Sequence, residues 1–512
     1  MKISNVCIVG GGSAGWMSAS ALIKQFPELN ITLVESPNIP TVGVGESTIA
    51  RINFFMDTVG LKDSDWMKEC NATYKSSIQF TDFKEKGHSF QYPFGFLNYN
   101  GKEHGVSDWF WIEKECPIED ANFAEFYHDS MIALKHNKFV DNLDNFNFKY
   151  DTAYHMDAAL FGEWLKNNVC IPNGIKHILG EVKSFAKRKD GSLDYIVTEN
   201  ETISADLFID CTGFSSLLLE QIMGSEFESF HDTLMNDSAV ATIIPYIDKE
   251  TEMTAITNCT AIENGWVWNI PLWNRIGTGY VYSSQFASKE QATEEFIAHL
   301  GERGKTAEFR HIKIKHGVHK KSWTKNVVGV GLANGFIEPL ESTGLVLTHE
   351  AIHLIIDTLG QRDRYINQYD IDSFNFGMYD LTKGFKDFVS IHYALSTRND
   401  TPYWKHVTEN MSYSPKMNNW ETSIQNEYQD LAEGLHTYNS FERLSGRGLL
   451  YVAAGFGYSP VSKRKMPFQL AVNQPNLEKT KDAWIEHRNN LLEKLENAPS
   501  QYEYLKKNIY NQ

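Results

Sequence analysis

The 512-residue sequence has no C-x-x-C pair, no basic surplus, no apolar run of membrane-spanning length, no internal repeat and no low-complexity tract. Each absence narrows the function. With 48 Lys and Arg against 65 Asp and Glu, the net charge is -17, and a nucleic-acid surface would instead need a basic face to displace counterions. No nucleic-acid partner is expected. Cys7, Cys70, Cys116, Cys170, Cys211 and Cys259 are scattered, with Cys7 and Cys211 in strand-like apolar runs, so all are read as reduced and the compartment as cytoplasmic. Met1-Lys2-Ile3 leads straight into the first apolar run and leaves no room for a signal peptide, and no membrane association is expected. His311, His316 and His319 lie among four lysines (Lys313, Lys315, Lys320 and Lys321) with no carboxylate near, so no metal site is expected.

What the chain does have comes at its start. Val6 to Val9 is apolar and reads as a buried parallel strand, and Gly10, Gly12 and Gly15 follow it on the G-x-G-x-x-G spacing. Gly10 permits a sharp turn, Gly12 lets a pyrophosphate approach the backbone, and Gly15 lets the new helix pack on the strand. The free N–H groups and positive dipole end of that helix would hold an anion. Ala19, Leu22, Ile23 and Phe26 keep helical spacing, and Ile31 to Val34 form a second strand ending at Glu35, which is placed to take a ribose hydroxyl pair. Strand, turn, helix, strand and terminal acid together predict a dinucleotide site. They do not choose between NAD and FAD.

The length predicts two interlocked domains, and the 13% aromatic content suits either a cavity for planar molecules or an aromatic-rich core. After Glu35 the glycines of Val44-Gly45-Glu46-Ser47-Thr48 would let the backbone pass close to a ligand. The stretch from Tyr74 to Phe80 alternates, which predicts one strand with Lys75 facing away from Tyr74 and Ile78. A lysine there is an ordinary solvated side chain unless a cavity lies on its face. Aromatic and β-branched residues dominate from about 235 to 325 and predict a mostly antiparallel sheet flooring a second site. The run Val327 to Gly331 reads as a buried strand that leads to Ile337 to Gly344, with a helix from Leu345 onward whose N-terminus could hold an anion or a flavin pyrimidine edge. Beyond about 350 the chain is mainly helical.

Taken together these segments resemble the flavin-dependent tryptophan halogenase family. The resemblance rests on the glycine turn with Trp16-Met17, on Val44 to Thr48, on the Lys75 segment and on Trp266-x-Trp268-x-Ile270-Pro271. It continues through Glu338-Pro339-Leu340-Glu341-Ser342-Thr343-Gly344 and Ser396 to Pro402. It implies an α/β fold with an FAD-binding, Rossmann-like core of the p-hydroxybenzoate hydroxylase type, an antiparallel substrate-side sheet and a helical C-terminal region. The expected division is a core over 1–400 and a mainly helical cover over 401–512.

The resemblance further implies that reduced FAD, supplied by a separate reductase, reacts with oxygen and turns a halide into hypohalous acid. Cofactor contacts would come from Gly10, Gly12, Ser13, Ala14, Gly15, Glu35, Val44, Gly45, Glu46, Ser47, Gly331, Leu340 and Gly344. The halide would sit on the backbone N–H groups of Thr343 and Gly344. Lys75 matches the catalytic lysine, reached through an internal tunnel, and Glu341 the carboxylate beside it; the plain alternative for Glu341 is a charge partner of the helix N-terminus. Trp266, Trp268, Ile270 and Pro271 would form the barrier between flavin and substrate, with Phe94 and Tyr92 on the substrate side.

The sequence departs from that family in two places. Tyr92 stands where tryptophan-specific members carry a histidine, and the aromatic lid after Leu435 is shortened. The expected substrate is therefore a small electron-rich aromatic, indole or phenol, other than free tryptophan, because an unpaired ammonium and carboxylate bind poorly. An FAD-dependent aromatic hydroxylase and a non-catalytic flavoprotein remain as alternatives. Native substrate, regiochemistry, preferred halide and self-association are left open.

Overall fold

The computed structural model describes residues 2–39, 45–95, 108–143, 146–411, 413, 448–457 and 466–511. Its centre is the predicted strand. Asn5–Val9 lies in a six-stranded sheet between Asn30–Glu35 and Leu207–Asp210, parallel to both. Lys176–Leu179 extends the sheet beyond Asn30–Glu35, and Val327–Gly329 extends it beyond Leu207–Asp210. Helix Ser13–Gln25 on one face, and strands Leu193–Val197 and Thr202–Ser204 with the segment Leu217–Ile222 on the other, cover the sheet, which is why its inner strands are largely apolar. Helix Ser13–Gln25 buries Trp16 to Ile23 against it.

The second layer is a seven-stranded sheet in which Ser238–Ile244, Ile276–Tyr282, Gly265–Pro271 and Ile256–Ile262 run antiparallel in that order. The aromatic, β-branched segment forms the sheet the sequence predicted, with one addition. Ser77–Thr81 joins its edge in parallel with Ile256–Ile262, and Ser89–Pro93 pairs beyond it, so two strands come from far outside 235–325.

A three-stranded sheet links the layers. Ala153–Met156 is its middle strand, with Glu46–Ser47 on one side and Thr73–Lys75 on the other. The single alternating strand expected over 74–80 is therefore two strands. Thr73–Lys75 pairs in this small sheet, Ser76 donates its N–H to the Ala255 carbonyl, and Ser77–Thr81 pairs in the large one.

The long helices Thr343–Gly360 and Gln368–Ala394 follow, and the later described segments are helical, including Pro402–Glu409, Gly448–Gly455 and Met466–Leu495. Gly448–Gly455 packs on strand Ser89–Pro93. Among the described residues no helix is long and apolar enough to cross a membrane. All six cysteines are buried and free.

Candidate active site

The site has two ends, and the nucleotide end is built by the glycine turn. Gly10 adopts φ 116°, and a Cβ there would stand 2.2 Å from the Cys211 carbonyl oxygen. A Cβ on Gly15 would lie 1.9 Å from the Gly10 carbonyl oxygen, so the helix crosses the strand end at a distance only glycine allows. A Cβ on Gly12 would meet nothing within 4 Å, because Gly12 faces a cavity of about 810 Å³. No side chain caps helix Ser13–Gln25, and the Ser13 hydroxyl is turned to the Ala158 carbonyl at 2.8 Å, so the first backbone N–H groups stay free for an anion.

The structure brings most of the expected cofactor residues onto one wall. Gly10, Gly12, Ser13, Ala14 and Glu35 line the cavity at the turn, and Gly45, Glu46, Ser47, Gly331 and Gly344 line it further on. Gly15 lies beneath the turn, Leu340 is buried behind the wall, and Val44 lies outside the described residues. One Glu35 carboxylate oxygen is 2.8 Å from His177 Nε2. At the far end Trp268 and Ile270 supply a flat apolar surface. An open glycine cradle, uncapped N–H groups, a ribose-side carboxylate and an apolar wall fit the parts of FAD in order.

The lysine end lies where the two sheets meet. Lys75 is completely buried, and its Nζ donates to Ser342 Oγ at 2.8 Å while standing 4.8 Å over the Phe94 ring. Burial lowers its pKa to about 7, and the nearby Cys259 and Glu341 oppose that shift. Glu341 is 2% exposed, at the end of a short turn that closes on Ser342, whose φ of 57° is left-handed. His392 Nε2 approaches Glu341 Oε1 to 2.8 Å, off the line needed for a hydrogen bond. Both Glu341 oxygens and Thr343 Oγ1 thus lack a hydrogen-bond partner among the described residues. Helix Thr343–Gly360 begins at once, with no side-chain cap, because Ser342 directs its hydroxyl to Ser47 Oγ at 3.1 Å. The N–H groups of Thr343 and Gly344 open that helix, and their uncapped state suits a halide.

The two tryptophans differ. Trp268 lines the cavity, seated on Gly279, with its indole nitrogen buried and lacking a partner among the described residues. Trp266 is wholly buried beside it and donates Nε1 to Glu338 Oε2 at 2.9 Å. Glu338 also accepts from Asn236 and Tyr393, a buried brace behind the barrier strand. Pro271 closes that strand, and its carbonyl accepts from Thr73 Oγ1 at 2.7 Å. Tyr92 packs on Phe94, Phe388 and Tyr451.

Sequence reasoning missed several of these groups. Ser342 and Glu338 lay inside a quoted motif, whereas His155, Thr257 and His392 carried no local signal. The histidine run does have a carboxylate neighbour, contrary to expectation: His319 Nε2 lies 3.3 Å from Glu220 Oε2, a residue distant in sequence. Among the described residues no group of His, Cys, Asp or Glu could hold a metal ion.

Comparison with known proteins agrees with this geometry. The tryptophan halogenase family matches residues 5–470. Tryptophan 6-halogenase SttH of Streptomyces toxytricini is 34% identical over 526 residues, covering 98% of this chain and 97% of its own. Tryptophan 7-halogenase RebH of Lentzea aerocolonigenes is 33% identical over 423 residues, covering 79% of this chain and 78% of its own. The apo structure of VirX1 is similar with a TM-score of 0.91 at 44% identity, covering 100% of both chains. The match runs from the nucleotide turn through the buried lysine to the helical region, and the chain belongs to the flavin-dependent tryptophan halogenases, FADH2-dependent oxidoreductases that halogenate aromatic substrates.

Proposed function

We propose that the protein halogenates an electron-rich indole or phenol other than free tryptophan, and that Lys75 handles the oxidised halogen. One observation carries this reading: the Lys75 amine is buried and hydrogen-bonded to Ser342, a residue that also lines the flavin cavity. Bound in that cavity, reduced FAD would supply, with oxygen, the oxidising equivalents that turn halide into hypohalous acid. A single dinucleotide fingerprint points to a separate flavin reductase as its source. The residues from 1 to 400 act as the catalytic core and 401–512 as its cover, a division supported by the packing of helix Gly448–Gly455 on strand Ser89–Pro93. The free, buried cysteines support a reducing, cytoplasmic setting.

The protein's own groups then have distinct tasks. The N–H groups of Thr343 and Gly344 hold the halide. Trp268 separates the cavity from the substrate side, so the substrate meets only the oxidised halogen passing along an internal tunnel. Lys75 as an ammonium donates hydrogen bonds to the hypohalite oxygen and makes the halogen more electrophilic; as a neutral amine it can be converted to an N-haloamine. A pKa of about 7 keeps both forms within reach. Glu341, whose oxygens accept no hydrogen bond among the described residues although His392 Nε2 lies 2.8 Å from one of them, takes the ring proton after the halogen adds.

The substrate reading is supported by Tyr92, whose ring packs on Phe94, Phe388 and Tyr451 at this end and offers a planar aromatic substrate a stacking surface in place of a histidine. Of the segment after Leu435 that prompted the same reading, His436 to Arg443 lies outside the described residues, whereas Tyr451 to Gly457 is described. The test supplies reduced FAD, oxygen and each halide against indoles, phenols and tryptophan, with mass spectrometry. Expected are halogen-mass gains on indoles or phenols, poor turnover of tryptophan, and loss of product in Lys75→Ala. Tryptophan turned over as well as the simple aromatics would overturn the substrate reading, a gain of one oxygen would indicate a hydroxylase, and halogenation by Lys75→Ala at the normal rate would remove the lysine from the mechanism.

A further inference from the structure

Behind Lys75 runs an unbroken file of hydroxyls, buried at Ser342 and Thr257 and half-buried at Ser47, that ends on an imidazole. Lys75 Nζ donates to Ser342 Oγ at 2.8 Å, and Ser342 donates to Ser47 Oγ at 3.1 Å. Ser47 Oγ is 2.7 Å from Thr257 Oγ1, which is 2.7 Å from His155 Nε2. On the other side of the ring His155 Nδ1 is 3.3 Å from Thr73 Oγ1, whose hydroxyl donates to the Pro271 carbonyl at 2.7 Å. His155 sits on the middle strand of the linking sheet, directly between Ser47 and Thr73 in register, so the backbone itself places the ring between the two ends.

We propose that His155 and Thr257 are positioning residues for Lys75: they fix the direction of this hydroxyl chain, and so oblige Ser342 to accept from the lysine amine and hold it against the flavin cavity. The inference rests on the reading of Lys75 given above. The direction follows from one fixed end. A carbonyl only accepts, so Thr73 must donate to Pro271, and its oxygen is left to accept from His155 Nδ1–H. A neutral imidazole that donates through Nδ1 accepts at Nε2, so Thr257 donates to it. Thr257 can then only accept from Ser47, and Ser47 from Ser342, which leaves the Ser342 oxygen open toward Lys75. The ring is neutral because it is completely buried, and the nearby Lys75 adds to the same effect; both hold its pKa well below the ordinary value. Were the ring cationic, Thr257 would accept from Nε2–H and turn its hydrogen to Ser47, so the hydroxyls on that side would reverse and Ser342 would turn its own hydrogen against the amine, while Thr73 still donated to Pro271.

Thr257 offers a clean comparison. Thr257→Val keeps the volume and deletes the hydroxyl, whereas Thr257→Ser keeps the hydroxyl and removes a methyl. Loss of the two hydrogen bonds, to Ser47 and to His155, is expected to lower halogenated product per flavin oxidised by about tenfold in Thr257→Val, with hypohalous acid appearing in a soluble trap, while Thr257→Ser stays within about twofold of the parent. A role in packing gives the opposite order, because serine leaves the void. Thr257→Val at the parent level, or Thr257→Ser no better than Thr257→Val, overturns the proposal. The flavin-free protein gives a second readout: long-range proton–nitrogen NMR should show His155 as the Nδ1–H tautomer, identified by the signal lost in His155→Gln. An Nε2–H tautomer or an imidazolium at about pH 7 overturns it equally. Should Thr257→Val fail to fold, Thr73→Val against Thr73→Ser makes the same comparison across the ring. Lys75→Ala separates the two levels: activity surviving that change defeats the lysine reading, whereas an inactive Lys75→Ala beside a normal Thr257→Val defeats this inference alone.

Discussion

A lysine with no exposed surface is a standing cost to the fold, and its size depends on pH. Burial moves the Lys75 pKa from 10.5 to about 7. Between those values the unfolded chain binds a proton that the folded chain lacks, so stability rises with pH across the window. Below about 7 the folded protein carries the ammonium and the cost is complete. Lys75→Met keeps the length of the side chain and removes the amine. The flavin-free variant should therefore be more stable than the parent, and by about 3 kcal/mol more at pH 6 than at pH 9, from two pKa units at about 1.4 kcal/mol each. Urea denaturation at the two pH values measures this, and a pH-independent margin would show that the amine is never deprotonated by burial. The sequence showed which residue this was through the resemblance, but not that it was buried: a lysine in an alternating stretch reads as solvated. Nor could it show His155 or Thr257 beside it, which lie 82 residues from Thr73 and 210 residues from Ser47 respectively.

Elements held together by local chemistry were legible from the sequence, and those held by distant pairing were not. The strand, glycine turn, helix and second strand at the N-terminus follow from steric demands between near neighbours, and all stand where expected. Gly15→Ala tests that local logic. The added Cβ would collide with the Gly10 carbonyl, so helix and strand must part, and FAD affinity is expected to fall by at least about tenfold in a flavin fluorescence titration. Unchanged affinity would show that the turn tolerates the separation. The stretch from Tyr74 to Phe80 failed for the converse reason. Its period of two continues across Ser76, yet which sheet each half joins is decided by Ala153–Met156 and Ile256–Ile262, which the local pattern does not encode.

At the scale of the whole molecule the nucleotide turn and the buried amine belong to different sheets. The six-stranded sheet presents the nucleotide turn, the seven-stranded sheet presents Trp268, and the linking sheet carries Lys75 into the seam. The fold class was read correctly because the parallel core announces itself in buried apolar strands. The extent of the second sheet was not, since Ser77–Thr81 and Ser89–Pro93 reach it from the N-terminal part of the chain. A single dinucleotide turn in this architecture carries its own expectation: NADH alone should give no product, whereas chemically reduced FAD should give product with no reductase present. Turnover of NADH by the purified protein, followed at its absorbance band, would require a second nucleotide site.

The passage from one sheet to the next at Ser76 leaves the chain no slack. Adding or deleting one residue there would rotate either the lysine or the strand after it to the opposite side of its sheet. The reach of the amine toward Ser342 is thus set by residue count, and length changes that elsewhere would only lengthen a loop would here unseat it.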